Sequence, residues 1–246
     1  MLSHPTVYAL ALFGALCIGL SKAGFSGISL ISVFLFADLY GAKASVGLVL
    51  PLLIAADLMA LPAFLKHGSW KPVWRLLVPS LAGLLIAWWM LGTLTDYGAR
   101  KWIGGCILFM VLLQIARKLA PHWADPVSRS PFFGALAGVM GGFATMLANA
   151  AGPVIQLYLA ARKIPKMELI GIGARFFLVI NLLKLPLNSS LALITRESLW
   201  DNLLLLPGVI AGILCGKWLI HHVPQRAFEW MIVGFAVIAG VRLLVG

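Results

Sequence analysis

Charged residues are scarce in this chain, and their scarcity excludes most soluble folds. They make up 11% of the 246 residues, against 61% hydrophobic residues, whereas a soluble domain carries about 25% charged residues. The chain is therefore predicted to be an integral membrane protein that lies in a lipid bilayer. Its apolar runs are continuous and lack the alternation of a β-barrel strand, so the membrane segments are predicted to be helices.

Motifs for metal-dependent or nucleotide-driven chemistry are also missing from the sequence. The three cysteines, Cys17, Cys106 and Cys215, lie singly in apolar runs, and no P-loop, HExxH or CxxC motif is present. We therefore expect no cofactor and no metal. The formal charge of +11 comes from basic residues scattered between apolar runs. Without a basic domain to hold a phosphate backbone, no nucleic-acid partner is expected.

The two halves of the chain resemble each other in the same order. Matching stretches are Phe13–Leu16 with Phe133–Leu136, and Asp57–Pro62 with Asn181–Pro186. In an apolar chain, two fused copies of a multi-helix unit are typical of a secondary transporter with its binding site between the copies. The sequence thus predicts a first membrane repeat over residues 1–122 and a second over 123–246, together forming one transport domain.

Each half divides into five apolar segments, of which the first two are short. A spanning helix needs about 20 residues, so each short pair is predicted to form a broken or re-entrant helix pair. The predicted fold class is all-α, with 8–10 membrane segments in total. The segments are Thr6–Leu20, Phe25–Tyr40, Ala44–Leu65, Pro72–Leu94 and Arg100–Leu119, then Pro131–Leu147, Gly152–Ala161, Leu169–Leu191, Leu199–His221 and Ala227–Leu244.

The distribution of Lys and Arg predicts how the two halves are related. If each short pair returns to its starting side, nine basic residues collect on one side and four on the other, but a single crossing divides them seven to six. Cytoplasmic loops carry an excess of Lys and Arg, so the first arrangement is preferred. It makes the repeats inverted, with both termini periplasmic or extracellular. The nine residues are Lys66, Lys71, Arg117, Lys118, Arg129, Arg162, Lys163, Lys166 and Arg226.

Glycine-rich breaks separate the two short segments in each half, over Gly19–Gly27 and Gly141–Pro153. Irregular backbone is tolerated at membrane depth only where it lines a cavity or is packed in protein. The helix starts that follow present free N–H groups, which favour an anion. In inverted repeats the two starts would meet near the midplane. Candidate substrate contacts in and just after the breaks are Ser21, Lys22, Gly24, Ser26, Gly27, Thr145, Asn149, Gly152 and Gln156.

Charged and amide side chains within the apolar segments complete the candidate site. Lys22 would cost about 2.5–3.5 kcal/mol at the membrane centre, so it is expected to snorkel, to pair or to contact an anion. Arg175 either contacts substrate or lies at the cytoplasmic interface. Asn181 and Lys184 are three residues apart and share a helix face. Asp57, the repeat counterpart of Asn181, either pairs with a base or takes up a coupling proton or cation.

An intramembrane serine protease is the enzymatic alternative. Gly24-Phe25-Ser26-Gly27 fits the pattern around the nucleophile of rhomboid proteases. Such a serine needs a histidine within hydrogen-bond reach, and the five histidines all lie in loops or at segment ends. Proteolysis also leaves the duplication unexplained, so the chain is expected not to be an enzyme.

The two breaks and the later Asn181–Pro186 stretch resemble the TauE/SafE sulfite exporter family, and the resemblance covers nearly the whole chain. It implies export of a small sulfur-containing anion, such as sulfite, sulfoacetate or a related organosulfonate, across the bacterial inner membrane. A sulfonate head suits convergent N–H groups with a Lys or Arg. The expected function is a secondary transporter that works by alternating access, with an anion channel of the same fold as the alternative.

Overall fold

The computed structural model describes residues 4–120, 130–222 and 225–245, and this part of the chain is all-helical. Each predicted apolar segment falls on one helix, so the predicted all-α fold is confirmed. The ten α-helices of the described residues are α1 (Pro5–Lys22), α2 (Ser29–Tyr40), α3 (Ala42–Phe64), α4 (Trp70–Thr93), α5 (Asp96–Leu119), α6 (Pro131–Ala148), α7 (Gly152–Ala161), α8 (Lys166–Ser190), α9 (Arg196–His222) and α10 (Gln225–Val245), with a 3-10 turn at Ser26–Ile28 before α2.

Helix length separates the spanning helices from the short ones. Among the described residues, six helices are long and apolar enough to cross a membrane, namely α1, α3, α4, α5, α8 and α9. By contrast, α2 has 12 residues and α7 has 10. At 1.5 Å per residue these are roughly 18 and 15 Å long, shorter than the hydrocarbon core of about 30 Å. The short second segments are therefore half-helices.

Each half-helix folds back along the helix before it. Tyr8 at the start of α1 and Tyr40 at the end of α2 pack against the same apolar cluster. In the second half, Phe133 at the start of α6 and Tyr158 near the end of α7 have ring centroids 5.9 Å apart. Both pairs therefore form re-entrant hairpins, which enter and leave on one side, as predicted.

The two hairpins enter from opposite sides of the helix bundle, and α5 shows this because it contacts both. Arg100, near the start of α5, pairs with Asp38 at the end of α2, with an N–O distance of 3.0 Å. Near the end of α5, Leu113 packs against Leu157 and Ala161 of α7. Since α5 is a spanning helix, the open ends of the hairpins lie on opposite sides and their tips meet inside.

Helix packing follows the pattern that two copies related by a two-fold axis would produce. Helix α1 packs on α9 while α6 packs on α4, and α2 packs on α10 while α7 packs on α5. The pairs α3 with α8 and α5 with α10 contact each other directly. These pairings support the predicted repeats. The predicted boundary between residues 122 and 123, and Arg129 of the basic side, lie outside the described residues.

Glycines allow the closest crossings in both halves. A Cβ at Gly142 of α6 would lie 2.0 Å from the Ser80 carbonyl oxygen of α4. At the α1–α9 crossing, a Cβ at either Gly19 or Gly212 would lie 2.2 Å from a backbone oxygen of the other helix. Any larger residue would separate these helices, and small residues at helix crossings are typical of membrane proteins. The crossings hold each hairpin against a spanning helix of the other half.

Candidate functional site

A cavity of about 100 Å³ lies where the two hairpin tips meet. Its wall is formed by both breaks together with α3, α7 and α8. The sequence predicted that the breaks face each other, and the structure brings them together. Of the predicted residues, those in the cavity wall are Ser21, Lys22, Gly24, Asp57, Thr145, Asn149, Gly152, Gln156 and Asn181.

Local backbone chemistry sets where the hairpins turn. After α1 ends at Lys22, Gly24 has φ of 120°, a conformation that costs a glycine little and most other residues much. In the second half, Asn149 ends α6 in the left-handed conformation, with φ of 53° and ψ of 29°. Pro153 lies in the first turn of α7, where a missing N–H costs nothing. The breaks therefore follow from residues visible in the sequence.

A buried ion pair lies in the cavity wall. Lys22 Nζ lies 2.6 Å from Asp57 Oδ1, with the two side chains 13% and 1% exposed. Asn181 Nδ2 donates to Asp57 Oδ2 at 2.7 Å, so both carboxylate oxygens are engaged. Lys22 Nζ also lies 4.8 Å from the centroid of the Phe177 ring. Of the alternatives for Lys22 and Asp57, the structure shows them paired with each other.

Lys184 lies directly behind the cavity wall and is fully buried. Its ammonium donates to the Thr145 carbonyl oxygen at 2.7 Å and to Asn149 Oδ1. Asn149 Nδ2 in turn donates to the Val46 carbonyl oxygen of α3 at 3.3 Å. A cation at a helix C-terminus interacts favourably with the helix dipole, so Lys184 stabilises the end of α6. It acts on the cavity through Thr145 and Asn149.

Three other predicted contacts are not among the residues that line the cavity. Arg175 donates to the carbonyl oxygens of Leu65 and His67, both at 2.6 Å, and these residues follow the end of α3. It lies ten residues into α8, is buried, and is bonded to the turn that follows α3. Gly27 faces the α5 side, where a Cβ would meet a glutamine side chain at 2.8 Å. The side chain of Ser26 lies outside the described part of the structure.

The sequence did not predict the apolar part of the wall that α8 provides. Gly173 and Phe177 line the cavity with Asn181, and they precede it by eight and four residues. Residues four apart lie on one helix face. If Asn181 lines the cavity, this spacing predicts that Gly173 and Phe177 line it too. On α3, Leu53 precedes Asp57 by four residues in the same way and also lines the cavity.

The cavity extends from the ion pair toward one side of the bundle. Its wall continues to Leu169 and Ile170, near the start of α8, and to Leu159 of α7. On the other side of the site, Gly47 of α3 packs against the loop after α8, where a Cβ would lie 2.1 Å from the Leu193 carbonyl oxygen. The residues that line the cavity therefore extend toward the start of α8.

Comparison with known proteins agrees with this architecture. No curated protein matched the chain, and no solved structure matched it. The family model described as "Sulfite exporter TauE/SafE" matches residues 10–243, from α1 to α10. The chain therefore belongs to the TauE/SafE family, whose members are membrane transporters of sulfite and other anions.

Proposed function

We propose that this protein exports a small sulfur-containing anion, such as sulfite, sulfoacetate or a related organosulfonate, by alternating access. The observation that carries the proposal is the cavity at the meeting point of the two hairpin tips. Its volume of about 100 Å³ is well below the roughly 300–1,000 Å³ of pockets for drug-sized ligands. A cavity of this size suits a small oxyanion.

The charges around the cavity favour an anion. Among the described residues, the side chains of Lys22 and Lys184 lie in one cluster with one carboxylate, that of Asp57. Gly152, at the start of α7, is part of the wall, and the first N–H groups of a helix attract negative charge. A sulfonate or sulfite group offers three oxygens to these donors, with Lys22 as the charged contact.

The extent of the cavity toward one side supports a transporter over a channel. A channel needs a continuous path, whereas the residues that line this cavity reach Leu169 and Ile170 near the start of α8. The start of α8 lies with Arg162 and Lys163 on the side richer in basic residues. In the proposed orientation this side is cytoplasmic and the termini are periplasmic, in a bacterial inner membrane. The cavity then receives its anion from the cytoplasm, as an exporter requires.

A ligand screen on the purified protein tests the substrate class. We expect sulfite and organosulfonates to raise the unfolding temperature with ligand concentration, because a ligand that binds only the folded state stabilises it. In proteoliposomes the same anions should accumulate against their electrochemical gradient. Failure of all of them to bind would reject the substrate class, and movement only down the gradient would show a channel.

The contribution of Lys22 to anion affinity is best measured in a variant that lacks the Asp57 carboxylate. In that background, removal of Lys22 leaves no buried carboxylate unpaired. We therefore compare Asp57→Asn with Lys22→Met/Asp57→Asn. The double variant should bind sulfite at least about tenfold more weakly, which corresponds to 1.4 kcal/mol. As a charge-matched control, Lys101→Met removes a lysine that stacks on Tyr97, 4.4 Å from the ring centroid and outside this cavity. Equal sulfite affinities of Asp57→Asn and Lys22→Met/Asp57→Asn would show that Lys22 does not contact the anion.

A further inference from the structure

Asp57 is paired with the Lys22 ammonium, which is the group that an incoming anion would bind. Its Oδ1 lies 2.6 Å from Lys22 Nζ, and its side chain is 1% exposed. An anion oxygen bound to the same ammonium would come within a few ångströms of this carboxylate. Two negative charges at such a distance repel strongly where water is excluded. A proton on Asp57 removes that repulsion and releases Lys22 for the anion.

The Lys22–Asp57 pair has few ionisable neighbours among the described residues. The ionisable side chains that act electrostatically on Asp57 are Lys22 of α1 and Lys184 of α8. The other helices packed on α3, namely α2, α5, α6 and α9, contribute none in the described part of the chain. Lys184 is already bonded to Thr145 and Asn149. A proton on Asp57 therefore converts the neutral Lys22–Asp57 pair into a positively charged one.

Asn181 is a partner that suits both states of Asp57. Its Nδ2 donates to the carboxylate at 2.7 Å, and its buried Oδ1 has no hydrogen-bond partner among the described residues. An amide carries both a donor and an acceptor. When Asp57 is protonated, rotation of the amide presents Oδ1 to the carboxyl O–H. A lysine or arginine in this position would stabilise only the ionised form.

We propose that Asp57 takes up a proton when the anion binds, an inference that rests on the proposed function. In the empty site Asp57 is ionised and paired with Lys22. When an anion binds, a proton supplied by buffer or hydronium in the aqueous phase reaches Asp57 through the cavity, and the Lys22 ammonium transfers from the carboxylate to the anion. Lys22 keeps its own proton throughout. One proton is thus taken up from solution for each anion bound.

Isethionate, a small sulfonate, is the probe, because a sulfonate stays ionised over the working pH range and any proton taken up binds to the protein. For the wild-type protein we expect the Kd to rise by up to tenfold per pH unit, as linkage of one proton requires. Asp57→Asn mimics the protonated form, so its Kd should not change with pH. Asp38→Asn is the control: Asp38 pairs with Arg100 and Arg242 and is 25% exposed, so this variant should keep the wild-type slope.

A second measurement needs no variant. Calorimetric titration of the wild-type protein in two buffers of different ionisation enthalpy gives the number of protons taken up per isethionate bound, expected to approach one. A wild-type Kd that is constant with pH, or binding without proton uptake, would overturn the inference. A slope retained by Asp57→Asn would assign the proton to another group. If neither sulfite nor any sulfonate binds, the proposed substrate class itself fails.

Discussion

Removal of Lys22 should destabilise the protein far more than its position on one hairpin tip would indicate. Lys22→Met leaves the Asp57 carboxylate, 1% exposed, with Asn181 as its one hydrogen-bond partner among the described residues. Loss of one partner of a buried ion pair costs about 3–5 kcal/mol. Because Lys22 is itself 13% exposed beside the cavity, we expect about 3 kcal/mol, near the lower limit.

The reverse change should cost less. In Asp57→Asn the Lys22 ammonium can be hydrated from the cavity, and we expect a loss of about 1–2 kcal/mol, typical of one charged hydrogen bond. The double variant has no unpaired charge, and the methionine side chain that replaces Lys22 would keep an apolar contact with Phe177. It should be about 2 kcal/mol less stable than wild type, which gives a coupling energy of about 2–3 kcal/mol between the two side chains.

The unfolding free energy can be followed through the cysteines. Cys17 is buried in α1 and Cys215 is exposed on α9. In a Cys106→Ser/Cys215→Ser background, a thiol-reactive fluorophore reports unfolding through Cys17 as denaturant is added. If Lys22→Met loses less than about 1 kcal/mol, or if the double variant is less stable than Lys22→Met, then the ion pair does not stabilise this site as the geometry indicates.

Two further substitutions test the packing and the assignment of Arg175. Gly142→Ala places a methyl group 2.0 Å from a carbonyl oxygen and should cost about 1–3 kcal/mol by overpacking, whereas Gly105→Ala, with no atom within 4 Å, should be neutral in the same unfolding assay. Arg175→Gln loses charged hydrogen bonds worth about 1.5–3 kcal/mol each, and its sulfite Kd, measured by thermal shift, should equal that of wild type. A higher Kd in Arg175→Gln would show that Arg175 contributes to substrate binding.

Most of the architecture could be predicted because it depends on local sequence features. Apolar runs of sufficient length gave the helices, and their bounds agree with the ten helices of the described residues within a few residues. The re-entrant hairpins followed from the short second segments and the placement of basic residues. In the site, Gly24, Asn149 and Pro153 marked the breaks by their intrinsic backbone preferences.

The partners of the charged side chains could not be predicted, since they depend on how distant helices approach. Lys22 pairs with Asp57, 35 residues further along the chain, but Lys184 could have taken the same carboxylate. In the structure, Lys184 is hydrogen-bonded to Thr145 and Asn149 at the end of α6 instead. A choice between two bases for one acid is decided by distances of a few ångströms, which sequence spacing within a helix does not define.

The predicted repeat explains why the chemistry lies where it does. Asp57 and Asn181 occupy corresponding positions in the two halves, and their side chains are hydrogen-bonded at 2.7 Å. Corresponding residues of two-fold-related copies can touch only near the axis, so this pair marks the axis. Strict symmetry would place two carboxylates or two amides there. An aspartate opposite an asparagine avoids repulsion between like charges, and in the proposed alternating-access cycle one acidic group at the axis would face each side in turn.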